Sequence, residues 1–142
     1  MPAIVSAPGR IPAGRVSSVP ITTADFFPTL LAAAGVRPGN PEMLDGVNLL
    51  PMLTQNEMPD RDALFWHYPH FSPRAFSAVR AGRWKLLEFF EETGVRPELY
   101  DLANDLGEKS DLSQEEPERV RELQSRLAAW RNSVGAKLPV CE

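Results

Sequence analysis

The sequence predicts an α/β arrangement at its beginning and, for the chain taken alone, the α+β class with a small antiparallel β-meander and a packed C-terminal helix. Apolar residues recur at helical spacing twice, a β-rich stretch with tight turns lies between these segments, and 14 prolines divide the chain into short elements. We expect two regions, with strand, helix and loop over 1–58, and an antiparallel sheet with a helix at 116–134 over 59–142.

The first region is predicted to contain a short strand and a helix. The apolar run 3–7 ends at Pro8-Gly9, as a buried strand does. No candidate partner strand lies near this run, so we expect it to join a sheet whose other strands lie upstream. Thr22 or Thr23 is the predicted cap of a helix that runs toward Ala34 and has a broad apolar stripe.

Three further signals refine the first region. Pro28 is placed near the start of the helix, where a proline is tolerated, and Gly35 suits the left-handed position after its end. Asp45-Gly46 marks a turn, and one helical turn is predicted within 47–53. Most of the segment 36–59 is predicted to be loop.

The β-rich stretch begins the second region. The aromatic run 64–68 ends at Pro69, and segments 76–80 and 83–90 flank a turn at Ala81-Gly82, which indicates a hairpin. A further strand is predicted at 98–100. Apolar residues fall on both faces of the predicted strand at 83–90, so we expect both of its faces to be partly covered. The positions concerned are Trp84, Leu86 and Phe90 on one face, and Leu87 and Phe89 on the other.

The last helix is predicted from its first turn and its apolar spacing. Pro117 suits the first turn, Ser113 or a neighbour is the predicted cap, and Gly135 ends the helix. The intervals between its apolar residues are 3, 4, 3 and 4, which is one narrow stripe able to lie across a sheet. The stripe consists of Val120, Leu123, Leu127, Trp130 and Val134.

Composition excludes several classes of function. The net charge is −4 and basic residues are interspersed with acidic ones, so no basic face is available for nucleic acid. No apolar run approaches the roughly 20 residues that cross a bilayer, and the N-terminus lacks the pattern of a signal peptide. The single cysteine, Cys141, precedes only Glu142 and is interpreted as an incidental thiol.

Taken in order, the motifs resemble the C-terminal third of the sulfatase family within the alkaline-phosphatase-like superfamily. The motifs that carry the resemblance are Pro2-Ala3-Ile4-Val5, Ala7-Pro8-Gly9-Arg10-Ile11, Asp25–Leu31, Ala34-Gly35-Val36, Asp45–Leu53, Arg61, Phe65–His70, Ala78–Leu86, Glu98–Leu102, Asp105, Glu108 and Asp111-Leu112. Their order and spacing cover nearly the whole chain. The run 66–70 further resembles a bacterial arylsulfatase-like branch.

The resemblance implies a late strand and helix of the sulfatase catalytic domain, followed by the small sheet and its helix. It also implies a parent enzyme, often exported or periplasmic, that hydrolyses sulfate esters with formylglycine and calcium. Formylglycine arises from the Cys or Ser of a Cys/Ser-x-Pro-x-Arg motif, and segment 6–10 misses that spacing by one residue. The family's metal ligands belong to segments upstream of Pro2. No catalytic residue, metal ligand or cofactor site is therefore assigned to this chain.

His67 and His70 are the only histidines and lie three residues apart in an aromatic segment. Under the resemblance they would rim the substrate pocket as substrate-binding residues. A metal pair is disfavoured because no third ligand is evident. The favoured interpretation is structural, with polar residues on a strand and the turn that follows it.

Two other polar features have simpler explanations than catalysis. The segment 101–111 contains Asp101, Asn104, Asp105, Glu108 and Asp111. Its spacing does not match a calcium-binding EF-hand loop, so these side chains are interpreted as formers of turns and helix caps. Lys85 lies in an apolar strand, where a packed stem with its ammonium group in water accounts for it.

The leading hypothesis is the C-terminal portion of a sulfatase that contributes fold and pocket rim without chemistry of its own. The alternatives are the tail of a related phosphodiesterase or phosphonate hydrolase, and a stand-alone interaction module derived from a sulfatase. We expect exposed apolar surface within 3–34, which would contact the missing N-terminal sulfatase domain or cause self-association. No nucleic-acid or membrane partner is predicted.

Overall fold

The computed structural model describes residues 2–40, 43–70 and 75–139, so the predicted role of Cys141 lies outside the described residues. The helices and strands are α1 (Phe26–Ala33), α2 (Leu50–Gln55), β1 (Ala63–Tyr68), β2 (Phe76–Ala81), β3 (Trp84–Glu91), β4 (Gly94–Asp101) and α3 (Pro117–Ser133). The chain divides into two compact units, Met1–Arg61 and Asp62–Glu142. The predicted α+β class, with its small antiparallel sheet and C-terminal helix, is confirmed.

In the first unit, α1 begins and ends as its sequence predicts. A single 3₁₀ turn, Thr23–Asp25, precedes it, and Pro28 is its third residue, where no intrahelical hydrogen bond is lost. Gly35 has a φ of 70°, and the Val36 N–H donates to the Leu31 carbonyl at 2.9 Å. This left-handed ending satisfies a carbonyl that the helix leaves free.

The first unit is held together around the buried carboxylate of Asp25. Its oxygens accept hydrogen bonds from the Thr22 N–H at 2.8 Å and the Val47 N–H at 3.0 Å. Arg61 adds two more, from Nη1 at 2.7 Å and Nη2 at 3.0 Å. Gly46 lets the chain pass close enough, because a Cβ atom there would overlap the Ala24 carbonyl. One side chain thus joins three separate segments of the unit.

Residues 3–7 form no strand with any other described segment, and their predicted pairing with strands upstream stays a prediction. These residues have no ladder partner among the described residues, and Ile4 is 96% exposed. A strand needs hydrogen-bonded neighbours, which apolar composition alone does not supply. Two arginines that follow this segment in sequence make hydrogen bonds within the first unit. Arg10 Nη1 donates to the Ala33 carbonyl at 2.6 Å, and Arg15 Nη2 donates to Asn56 Oδ1 at 2.5 Å.

The second unit is a meander in the order β1-β2-β3-β4, with α3 on one face. The register pairs Phe65 with Val79, Val79 with Leu86, and Leu86 with Leu99, which places these four side chains on one face. α3 covers this face with its apolar stripe. The buried core consists of Ala63, Val79, Leu86, Leu99, Val120, Leu123 and Leu127.

Polar and aromatic contacts extend the attachment of α3 to the sheet. The rings of Trp130 and Phe65 stack with centroids 5.1 Å apart. Arg131 Nη1 lies 2.5 Å from Glu88 Oε2, and both side chains are largely shielded from water. A buried carboxylate requires such a partner, so this ion pair holds the last turn of α3 against β3.

Three details of the last helix correct the sequence predictions. α3 spans Pro117–Ser133, one residue shorter at each end than predicted, and Val134 is exposed after it, outside the core. Ser113 does not cap the helix, because it lies three residues before the N-cap, Glu116; its hydroxyl donates to Asp111 Oδ2 at 3.0 Å. Gly135 ends the helix as predicted, with a φ of 64°.

Candidate functional site

The face of the sheet opposite α3 carries the most distinctive surface of the second unit, and we call it the helix-free face. The register assigns to it alternate residues from all four strands. They are Leu64, Trp66 and Tyr68 from β1, Phe76, Ala78 and Arg80 from β2, Lys85, Leu87 and Phe89 from β3, and Arg96, Glu98 and Tyr100 from β4. Leu87 and Phe89 of β3 are half-buried on this face, which confirms the prediction that both faces of β3 are partly covered.

A shallow concavity of about 270 Å³ lies on the helix-free face. Its lining consists of Trp66, Phe76, Ala78, Lys85 and Leu87. Ala78 is the register partner of both Trp66 and Leu87, so a methyl group lies between two large side chains. The difference in side-chain size accounts for the depression, and Trp66 remains 39% exposed beside it.

The carboxylates near the concavity are already engaged. Both oxygens of Glu108 contact Lys85 Nζ, at 2.7 Å and 2.6 Å. Glu108 has a φ of 52°, a left-handed conformation that costs energy outside glycine and that the ion pair helps to maintain. Glu98 accepts a hydrogen bond from the Tyr100 hydroxyl at 2.7 Å, and burial together with this bond raises the pKa of Tyr100.

Arg80 differs from these groups because its guanidinium has no ion-pair partner among the described residues. Its Nε is shielded from solvent and finds no acceptor there. Its register partners are Leu64 on one side and Lys85 on the other, so two cationic side chains lie next to each other on the helix-free face. Sequence reasoning missed Arg80, although its place in the alternation, opposite Lys85, was a signal that could have identified it.

The two histidines lie in different environments. His67 is on the face that α3 covers, with Nδ1 2.7 Å from Ser77 Oγ and Nε2 2.8 Å from the Lys137 carbonyl. A carbonyl only accepts hydrogen bonds, so Nε2 carries a proton and donates it. His70 is exposed and follows the end of β1, with its ring edge-on to Tyr68 at 6.4 Å. Their predicted roles in substrate binding stay predictions.

His67 therefore tethers the segment after α3 to β1, and its removal is expected to loosen that segment. In His67→Ala, amide hydrogen exchange at 136–138 should become faster than in the native chain, because the hydrogen bond to Lys137 is lost. His70→Ala is the matched control and should leave exchange there unchanged. Equal protection in all three proteins would show that the tether has no effect.

The acidic segment 101–111 forms turns, as the sequence predicted. Arg83 pairs with Asp101, and this hydrogen bond lowers the Asp101 pKa. Asp105 accepts from the N–H groups of Lys109 at 2.7 Å and Ser110 at 2.8 Å. Asp111 accepts from the Leu99 N–H at 2.9 Å, which also covers part of the outer edge of β4.

Neither group implied by the sulfatase resemblance fits the residues that the structure describes. Calcium needs several oxygen ligands directed at one point, whereas the carboxylates of 101–111 are committed to arginine, lysine and backbone donors. No cluster of three or more His, Cys, Asp or Glu residues able to hold a metal occurs within 2–40, 43–70 and 75–139. Segment 6–10 does not have the spacing from which formylglycine is made.

No helix in the described part of the chain is long and apolar enough to span a membrane. The comparisons define the class of protein: a C-terminal sulfatase domain. The chain belongs to the family described as N-sulphoglucosamine sulphohydrolase, C-terminal, which matches residues 1–133.

Individual relatives agree with this family. A sulfatase from Formosa agariphila is 30% identical over 148 residues, which cover 92% of this chain and 26% of the relative. The structure of Ps i-CgsB in complex with k-i-k-neocarrahexaose superposes with a TM-score of 0.71 at 28% identity, covering 87% of this chain and 27% of that one. For BT4656 in complex with D-glucosamine-2-N,6-O-disulfate, the TM-score is 0.63 at 27% identity, and the match covers 76% of this chain and 23% of that one. The chain thus spans about a quarter of the length of these relatives.

Proposed function

We propose that this chain serves as the C-terminal part of a sulfuric ester hydrolase that acts on sulfated saccharides. The observation that carries the proposal is the family match, which runs through both units from residue 1 to 133. Two of the similar structures hold k-i-k-neocarrahexaose and D-glucosamine-2-N,6-O-disulfate, which supports a saccharide as the substrate class.

In this proposal the nucleophile and the metal ligands come from the preceding sulfatase domain. The described chain contributes structure and part of the substrate-pocket rim. His70 suits the rim because it is exposed at the end of β1, whereas both ring nitrogens of His67 already have partners. The N-terminal sulfatase domain would cover apolar surface within 3–34, where Phe27 and Leu30 are 59% and 67% exposed.

The experiment begins with the coding sequence upstream of Met1. We expect an in-frame segment that encodes a Cys/Ser-x-Pro-x-Arg motif. The joined protein should hydrolyse p-nitrophenyl sulfate, and the 142-residue chain alone should not. A phosphonate ester serves as the control substrate, since its preferred hydrolysis would indicate the related phosphodiesterase class. A separate promoter and stop codon, or turnover by the isolated chain that His70→Ala abolishes, would contradict the proposal.

A further inference from the structure

We propose that the concavity on the helix-free face binds a sulfated pyranose, with the sugar ring against Trp66 and the sulfate at Arg80. The inference rests on the proposed function for the choice of sulfate as the anion. The shape of the concavity and the nearby guanidinium of Arg80, which has no ion-pair partner among the described residues, are independent observations on the second unit.

The shape fits one sugar ring. Trp66 presents a partly exposed indole, and the methyl group of Ala78 beside it leaves room that a larger side chain would fill. Phe76 and Leu87 complete an apolar wall, against which the C–H groups of a pyranose can pack. A volume of about 270 Å³ is close to the lower end of small-molecule sites and suits a monosaccharide better than a chain of sugars.

The positive charge of Arg80 favours an anionic ligand. Arg80 lies two residues from Ala78 on the same face of β2, which is about 6.6 Å along a strand and within the reach of an exocyclic sulfate. The ammonium of Lys85 is neutralised by Glu108, and Glu98 accepts a hydrogen bond from Tyr100, so no carboxylate of the described residues compensates the Arg80 guanidinium. A guanidinium presents a planar set of donors that matches two oxygens of a tetrahedral anion.

The three tryptophans provide a direct test in the full 142-residue chain. The chain is labelled with ¹⁵N and titrated with N-acetylglucosamine 6-sulfate while the indole N–H signals are followed. The Trp66 signal should shift and saturate with a Kd on the order of 1 mM, as expected for a small ligand with few contacts. Trp130 stacks on Phe65, and Trp84 lies on the face that α3 covers, so both serve as internal controls.

Variants separate the sugar contact from the sulfate contact. Arg80→Gln should weaken binding about tenfold, the effect of losing one charge-assisted contact, and Trp66→Ala should abolish saturable shifts elsewhere on the face. Arg119→Gln is the matched control, because this arginine lies on α3 and pairs with Glu122. Unchanged binding in Arg119→Gln supports the proposal, and unchanged binding in Arg80→Gln overturns it.

Two probes test the class of ligand. Unsulfated N-acetylglucosamine should bind at least about ten times more weakly, since it lacks the group that Arg80 would contact. Sodium sulfate alone should leave the Trp66 signal in place. If either probe shifts the Trp66 signal as much as N-acetylglucosamine 6-sulfate does, the proposal is overturned. If the chain binds no sulfated sugar while the joined protein hydrolyses aryl sulfates, this inference fails and the proposed function stands.

Discussion

Replacing Asp25 with alanine is expected to destabilise the first unit by about 3–5 kcal/mol, the usual cost of leaving a buried charge without its partner. The Asp25 side chain is fully buried, and Arg61 opposite it is only 14% exposed. The substitution leaves the Arg61 guanidinium without its carboxylate. It also leaves the N–H groups of Thr22 and Val47 without acceptors.

The effect can be measured separately in each unit. A urea titration followed by amide NMR signals should show residues 22–49 unfolding at lower urea in Asp25→Ala, while signals from the sheet serve as an internal reference. Asp45→Ala is the matched control, because Asp45 is exposed in the same unit. If Asp25→Ala and Asp45→Ala unfold at the same urea concentration, the ion pair does not stabilise the unit.

Asp25 also gives the first unit a defined dependence on pH. Burial raises the pKa of Asp25, but the hydrogen bonds from Arg61, Thr22 and Val47 outweigh it, and the pKa lies below the ordinary value of 3.8. A lowered pKa stabilises the folded state above that ordinary value, and this contribution is lost as pH falls through the folded-state pKa. The part of the acid-induced loss of stability that Asp25 contributes should be absent in Asp25→Asn.

Replacing Leu127 with alanine is expected to reduce the unfolding free energy of the second unit by about 2–5 kcal/mol. Leu127 is completely buried between α3 and the sheet, where it packs with Val79, Leu86 and Leu99. Removing three carbon atoms leaves a cavity that strands hydrogen-bonded on both sides cannot readily close.

Urea unfolding followed by tryptophan fluorescence measures this effect, because Trp130 lies one turn away on α3. Leu106→Ala is the matched control, since Leu106 is 80% exposed and its removal should change stability by less than about 0.5 kcal/mol. If Leu127→Ala and Leu106→Ala had equal stability, the contact between α3 and the sheet would not be the core of this unit.

The elements that were predicted correctly are those that depend on residues close together in sequence. The turn at Ala81-Gly82 joins two strands whose pairing follows from it, and Gly82 has a φ of 58°. The stripe on α3 identified Val120, Leu123 and Leu127 as core residues because helical spacing alone brings them to one face. Val134 followed the same spacing and was misplaced, because the left-handed turn at Gly135 ends the helix before it can pack.

The site was less predictable because its parts are distant in sequence. His67 could be recognised as a polar residue on a strand, but its bond to Lys137, 70 residues away, depends on how the chain returns after α3. The run 3–7 has the composition of a strand, but no described segment supplies it with a hydrogen-bonded neighbour.

Periodicity, turn residues and the order of motifs were enough to determine the α+β class, the last helix and the sulfatase family. These properties follow from local preferences and from patterns written along the chain. The tertiary structure decided which charges are neutralised: it pairs Asp25 with Arg61 and Lys85 with Glu108, and leaves Arg80 without a carboxylate in the described residues. It also brings Trp66 and Ala78 together across the sheet. Spacing in sequence does not reveal such pairings, because they depend on strand register and on the paths of the loops.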